Sequence, residues 1–173
     1  MDIDVFSAKE LADGSARSDW PAAEARVMKA SLKAGIRSEL RFTVPSSKTV
    51  PALYPESAEF RQMPEVFATG YLVGLLEWAC MQAVNPHLDW PREQTVGTYI
   101  DATHCAATPP GLEITVAVHL IKVQGRRLVF EVRAHDGIDV VSWGVHERVV
   151  IDRVRFGQGV ERKLQSQPKG VFA

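Results

Sequence analysis

The sequence predicts one α+β domain, an antiparallel sheet of five strands wrapped around a single long helix. Two observations predict it. One segment, about 65–84, carries a sustained helical pattern, and from about residue 95 the hydrophobic period drops to two, punctuated by turn residues. The length agrees, since 173 residues suit one domain with a real core but not two.

Taken in order, residues 1–38 read as an N-terminal extension, with Ser18 or Asp19 capping a short helix through Pro21–Met28. A domain over 39–156 follows. Leu40-Arg41-Phe42-Thr43-Val44 alternates apolar and polar, as a half-buried strand does. Residues 45–64 are punctuated by Pro45, Pro51, Pro55 and Pro64, yet carry Val50, Leu53, Tyr54, Phe60 and Met63. So much apolar bulk in a connection predicts a lid that packs over something. The helix expected at about Glu65–Val84 repeats Val66, Thr69, Val73, Leu76, Glu77, Cys80 and Val84 at three-to-four spacing, and Asn85-Pro86 ends it. Gly70 and Gly74 mark a side open to close approach. Four hairpin-linked strands are then expected over Thr95–Thr108, Leu112–Val123, Leu128–Ala134 and Val140–Ile151, with Gly125 and His135-Asp136-Gly137 at turns. Residues 157–173 read as an irregular tail.

Composition excludes several classes. The charges nearly balance, 20 Lys+Arg against 21 Asp+Glu, so neither nucleic acid nor an anionic membrane is an expected partner. No apolar run approaches the roughly 20 residues that span a bilayer. The first residues lack the pattern of a signal peptide, and Cys80 and Cys105 make no disulfide framework, so a cytoplasmic location is expected. His104-Cys105 finds no further ligand at metal-binding spacing, so no metal site is expected.

Particular motifs then carry a resemblance. Tyr54-Pro55-Glu56-Ser57 with Glu59-Phe60, Pro64 through Gly70, Val73-Gly74-Leu75 and Glu77-Trp78-Ala79-Cys80 come first. Gly97-Thr98, Thr103-His104, Ala106 through Leu112, Gly125-Arg126-Arg127, Ala134-His135-Asp136-Gly137 and His146-Glu147-Arg148 follow in the same order. Over about 39–156 the chain closely resembles the fluoroacetyl-CoA thioesterase family. The resemblance implies a hot-dog fold, a homodimer, and hydrolysis of a short acyl-CoA without a cofactor, coenzyme A being part of the substrate. It carries catalytic roles onto Thr69, Glu77 and His104. It puts Gly97 and Arg148 near the substrate, and Val50, Leu53, Phe60 and Met63 in an apolar lid. Met63 departs from the family pattern, which has a second lid phenylalanine there; the acyl group is left open.

The residue types fit that chemistry, which needs a base or nucleophile, a proton-transfer group and an oxyanion donor. Glu77 lies on the apolar side of the helix, where burial would raise its pKa, though it would equally suit pairing with a cation. Thr69, eight residues earlier, points about 80° away around the axis. It could orient, attack or merely cap. His104 suits proton transfer among small neutral neighbours, or is simply a satisfied polar residue. Gly97 admits close backbone approach or marks a bulge. His146 and Arg148 share one face of a strand and Glu147 the other, so the three cannot form a relay. Arg126-Arg127 reads as a solvated turn before a phosphate contact, and Trp78 and Trp143 as core. The rivals are a hot-dog hydratase or dehydratase and a non-catalytic acyl-CoA binding module.

Overall fold

A computed structural model of the chain describes residues 28–166. The helix expected over 21–28 therefore lies, Met28 apart, outside the described residues. The domain begins earlier than expected: Met28 and Ile36 pack on the core and Leu32 is buried in it. Strand β1 runs over Arg37–Thr43 and turns every second side chain inward.

The lid segment is not a plain loop. A 3-10 turn at Ser46–Lys48 leads into α1 (Val50–Leu53), and α2 (Ala58–Arg61) follows. Ser57 caps α2 by accepting the backbone N–H of Phe60. The long helix α3 spans Thr69–Val84, four residues shorter than expected at its start. Residues 66–68 are committed elsewhere: the Val66 carbonyl accepts from Val50, and the N–H groups of Phe67 and Ala68 bond the carbonyls of Thr108 and Lys48. The buried stripe of α3 is Leu72, Leu75, Leu76, Ala79, Cys80, Ala83 and Val84, which leaves Thr69, Val73 and Glu77 beside it. Trp78 (45% exposed) and Trp143 (59%) are surface residues, not core; Trp78 stands just off the stripe and meets Phe42 edge-on.

After a 3-10 turn at Asn85–His87 come β2 (Glu93–Ala102), β3 (Glu113–Gln124), β4 (Arg127–His135) and β5 (Val140–Asp152). They form one antiparallel sheet in the order β1-β3-β4-β5-β2. Only β3, β4 and β5 are the expected meander. β2 pairs with β5 at the far edge, so residues 103–112 cross the sheet instead of making a hairpin. Ile114, Val116, Val118 and Leu120 of β3 and Leu128, Phe130, Val132 and Ala134 of β4 all face α3. Burial of each Ile, Val, Leu or Phe among them contributes about 1.5–3 kcal/mol.

The tail is corrected as well over 157–165, while 167–173 lie outside the described residues. Helix α4 (Arg153–Gln165) begins where Asp152 accepts from the N–H groups of Val154 and Arg155, at 3.0 and 3.1 Å. Arg162 and Lys163 sit in its last turn, where positive charge suits the helix dipole. That cap and dipole support a helix that runs through Gly157 and Gly159, where an irregular tail was expected. Among the described residues no helix is long and apolar enough to cross a membrane.

Candidate active site

Two polar clusters line α3, one at its start and one two turns on. At the start, Thr69 and His104 share a hydrogen bond, Oγ to Nδ1, of 2.8 Å. Thr69 is the first residue of α3, while His104 comes from the crossing that follows β2. Cys105 ties that crossing to β5 by donating its N–H to the Val141 carbonyl. Burial holds the His104 imidazole below its ordinary value, partly offset by the backbone of Ala106. A neutral ring with one nitrogen engaged by Thr69 leaves the other, Nε2, buried and without a partner among the described residues. An unsatisfied buried nitrogen is costly unless a ligand meets it.

In the second cluster Glu77 reaches over the inward face of β5. Its Oε1 lies 3.3 Å from Nη1 of Arg148 and 3.7 Å from Nε2 of His146. The expected burial of Glu77 is not found: its side chain is 39% exposed, and the neighbouring cation holds it. Arg148 itself is buried (2% exposed) beneath Glu77, with Thr95 and His146 around it, so it stands behind the carboxylate and not at the surface. Gly97 explains how the carboxylate fits. A Cβ at this position would strike Glu77 Oε1 and approach His146 Cε1 to 3.2 Å. The β2–β5 register also shifts between Gly97 and Tyr99, so the residue both admits a close approach and marks a bulge.

Cys80, one turn beyond Glu77, is no nucleophile at neutral pH, because burial pushes its thiol up to about 12. Glu147, on the opposite face of β5, pairs with Arg127, and Arg126 bonds the Val150 carbonyl. Both arginines of that turn are thus occupied within the chain. No group of three or more His, Cys, Asp or Glu among the described residues could hold a metal ion.

The lid lies beside the first cluster. The Leu53 methyls lie 3.2 and 3.3 Å from where a Cβ on Gly70 would sit, so the absent side chain seats the lid on α3. The Tyr71 hydroxyl donates to the Ala52 carbonyl, and the Tyr54 and Phe60 rings meet edge-on. Val50, Leu53 and Phe60 are half-buried, whereas Met63 is 52% exposed.

The fluoroacetyl-CoA-specific thioesterase family profile matches residues 51–154, which span both clusters and the lid from Pro51 onward. The chain belongs to that family. The fluoroacetyl-CoA thioesterase of Streptantibioticus cattleyicolor is 52% identical over 136 residues, 79% of this chain and 97% of that one. A solved fluoroacetyl-CoA thioesterase mutant in complex with fluoroacetate superposes with a TM-score of 0.74, at 50% identity, over 79% of this chain and all of that one. A thioesterase superfamily member from Thermus thermophilus, 24% identical, superposes at 0.66 over 82% of this chain and 96% of its own. That last likeness speaks for the fold alone. The hot-dog architecture expected from the sequence is therefore this chain's fold.

Thr69 and His104 were named together from the sequence and are in contact; Glu77, Gly97 and Arg148 are likewise gathered. Glu77 does not bond Thr69 or His104: eight helical residues separate it from Thr69, a rise of about 12 Å. The sequence reading put His146 on the Arg148 face of its strand without giving it a role, and gave none to Thr95. A signal existed, since inward-facing positions of β5 are polar at His146 and Arg148 where the same faces of β3 and β4 are apolar.

Proposed function

We propose that this chain hydrolyses a short acyl-CoA to the free acid and coenzyme A, with Thr69, Glu77 and His104 as the reacting groups. The observation that carries the reading is the Thr69–His104 pair, whose buried Nε2 has no partner among the described residues. With Nδ1 accepting from the Thr69 hydroxyl, Nε2 carries the proton. It is then a donor for the thioester oxygen as it gains charge, or for the departing thiolate. Glu77, lying beside the Arg148 guanidinium, supplies the electron pair to water or to the thioester carbon.

The 12 Å helical rise between the clusters has a consequence for assembly. Two copies with their α3 helices antiparallel bring one protomer's Thr69 and His104 toward the partner's Glu77. Gly74, exposed and with nothing within 4 Å of its missing Cβ, leaves that side of α3 open, and β2, ten residues long, is an edge strand among the described residues. We therefore read the working unit as a homodimer with acyl-CoA across its interface. Val50, Leu53, Phe60 and Met63 cover the acyl group. Fluoroacetyl-CoA is the substrate named for the relatives. Met63, flexible and ringless, shapes a looser gate than a phenylalanine, so acetyl- and propionyl-CoA belong in the same test.

Free-thiol release from acetyl-, fluoroacetyl- and propionyl-CoA tests the reading. The wild type is expected to release thiol, and Glu77→Gln to lose about 10²–10⁴-fold in kcat. Undiminished release by the variant removes Glu77 from the mechanism, and no release from any acyl-CoA overturns the function.

A further inference from the structure

The buried Arg148 guanidinium raises a question that Glu77 alone does not answer. A buried cation needs its N–H groups met, and Glu77 is a half-exposed, flexible counter-charge. Three of the guanidinium's bonds go to neutral acceptors instead. Nε donates to Thr95 Oγ at 2.9 Å, Nη2 to the Thr95 carbonyl at 2.9 Å, and Nη1 to His146 Nε2 at 2.9 Å. We infer that His146 is a positioning residue for this reaction: as a neutral, Nδ1-protonated imidazole it fixes Arg148 in the orientation that presents Nη1 to the Glu77 carboxylate.

The tautomer follows from the bonds. His146 Nδ1 lies 2.8 Å from the Tyr99 carbonyl, which can only accept, so Nδ1 carries the proton. Arg148 can only donate, so Nε2 must hold a lone pair. A protonated His146 would set two N–H donors and two positive charges against each other at 2.9 Å. The 3.7 Å approach of His146 to Glu77 is therefore a contact and not an ion pair. The Tyr99 carbonyl that sets the tautomer stands at the register shift beginning at Gly97, the glycine against which Glu77 lies. One irregularity in β2 thus admits the carboxylate and sets the imidazole that steers its cation. Thr95 completes the clamp from the same strand. His146 makes no hydrogen bond to the Glu77 carboxylate; it acts through Arg148.

This inference rests on the role proposed for Glu77, and two measurements separate its failure from that of the proposed reaction. Nitrogen NMR of the histidine-labelled, unmodified protein without substrate is expected to show His146 neutral, with the proton on Nδ1, at pH 7. A proton on Nε2, or an imidazolium, overturns the clamp whether or not any acyl-CoA is turned over. In the thiol-release assay His146→Leu, which removes the acceptor, is expected to lose about 10- to 100-fold in kcat with KM within about threefold. His146→Gln, whose amide oxygen can accept from Nη1, restores most of that loss. Equal losses in the two variants, or a loss confined to KM, overturn the positioning role. A wild type that releases no thiol counts against the proposed reaction alone, because the tautomer is read without it.

Discussion

Replacing Gly97 by alanine tests the pocket that holds Glu77. The added Cβ would come within 3.0 Å of Glu77 Oε1, closer than real Cβ atoms approach, and would lie 3.2 Å from His146 Cε1. β2 is laddered to β5 on either side of the bulge, so the strand is poorly placed to retreat. The Glu77 carboxylate, at the end of a flexible side chain, moves instead. Restoring an ordinary contact of about 3.5 Å displaces it by roughly 1 Å. A misplacement of that size in a reacting group costs about 10²-fold, close to 2.7 kcal/mol of activation free energy. The fold should scarcely register the change, since alanine in a compatible backbone alters stability by about 0.4–1 kcal/mol. The assay is thiol release at saturating acyl-CoA beside a thermal melt. A kcat within threefold of wild type, with the melt unchanged, refutes the placement of Glu77 against Gly97. Lost activity with a collapsed Tm shows instead that Gly97 serves the strand.

Three further outcomes are expected. Thr69→Ala should lower kcat by about 10- to 100-fold by freeing the His104 ring, and Thr69→Ser, which keeps Oγ, should recover most of it; equal losses would remove the hydroxyl from the argument. Burial holds both His104 and His146 below the ordinary value of 6.5, so the fold favours their neutral forms. Their contribution to stability is therefore complete above about pH 6.5 and is lost as the pH falls through the folded values, so Tm should drop on mild acidification and drop less in a His104→Gln, His146→Gln double variant. A wild-type Tm that stays level from pH 7 to 5 contradicts this. Gly70→Ala sets a Cβ 3.2 Å from a Leu53 methyl, which must yield by a few tenths of an ångström; KM should rise several-fold with kcat nearly kept, and an unchanged KM would show that this seat does not shape the substrate site.

The sheet-forming alternation of Ile114 to Leu120 and of Leu128 to Ala134, and the single apolar helix, are local periodicities, and they were legible because burial on one face imposes them residue by residue. The helix in the tail was equally local. Its cap, Asp152, and the cations of its last turn were readable in principle, but the segment from 157 read as an irregular tail. Thr69, Glu77 and His104 could be named because family motifs mark them; their burial and partners could not. Glu77 proved half-exposed and cation-bound because Arg148 rises from β5, a strand 71 positions away in sequence. The same long-range placement hid what His146 and Thr95 do, since the bonds of Thr95 to Arg148 and of His146 to Tyr99 join β2 to β5.

The sequence by itself determined which faces must be buried, and with them one helix laid on an antiparallel sheet of five strands. Only the tertiary structure decided that β2 leaves the meander and pairs with β5. That pairing sets Gly97, Thr95 and the Tyr99 carbonyl against Glu77, Arg148 and His146. The physical reason is that periodicity records which side of an element avoids water. Hydrogen bonds and ion pairs between distant strands depend on register and edge order, which no local pattern encodes.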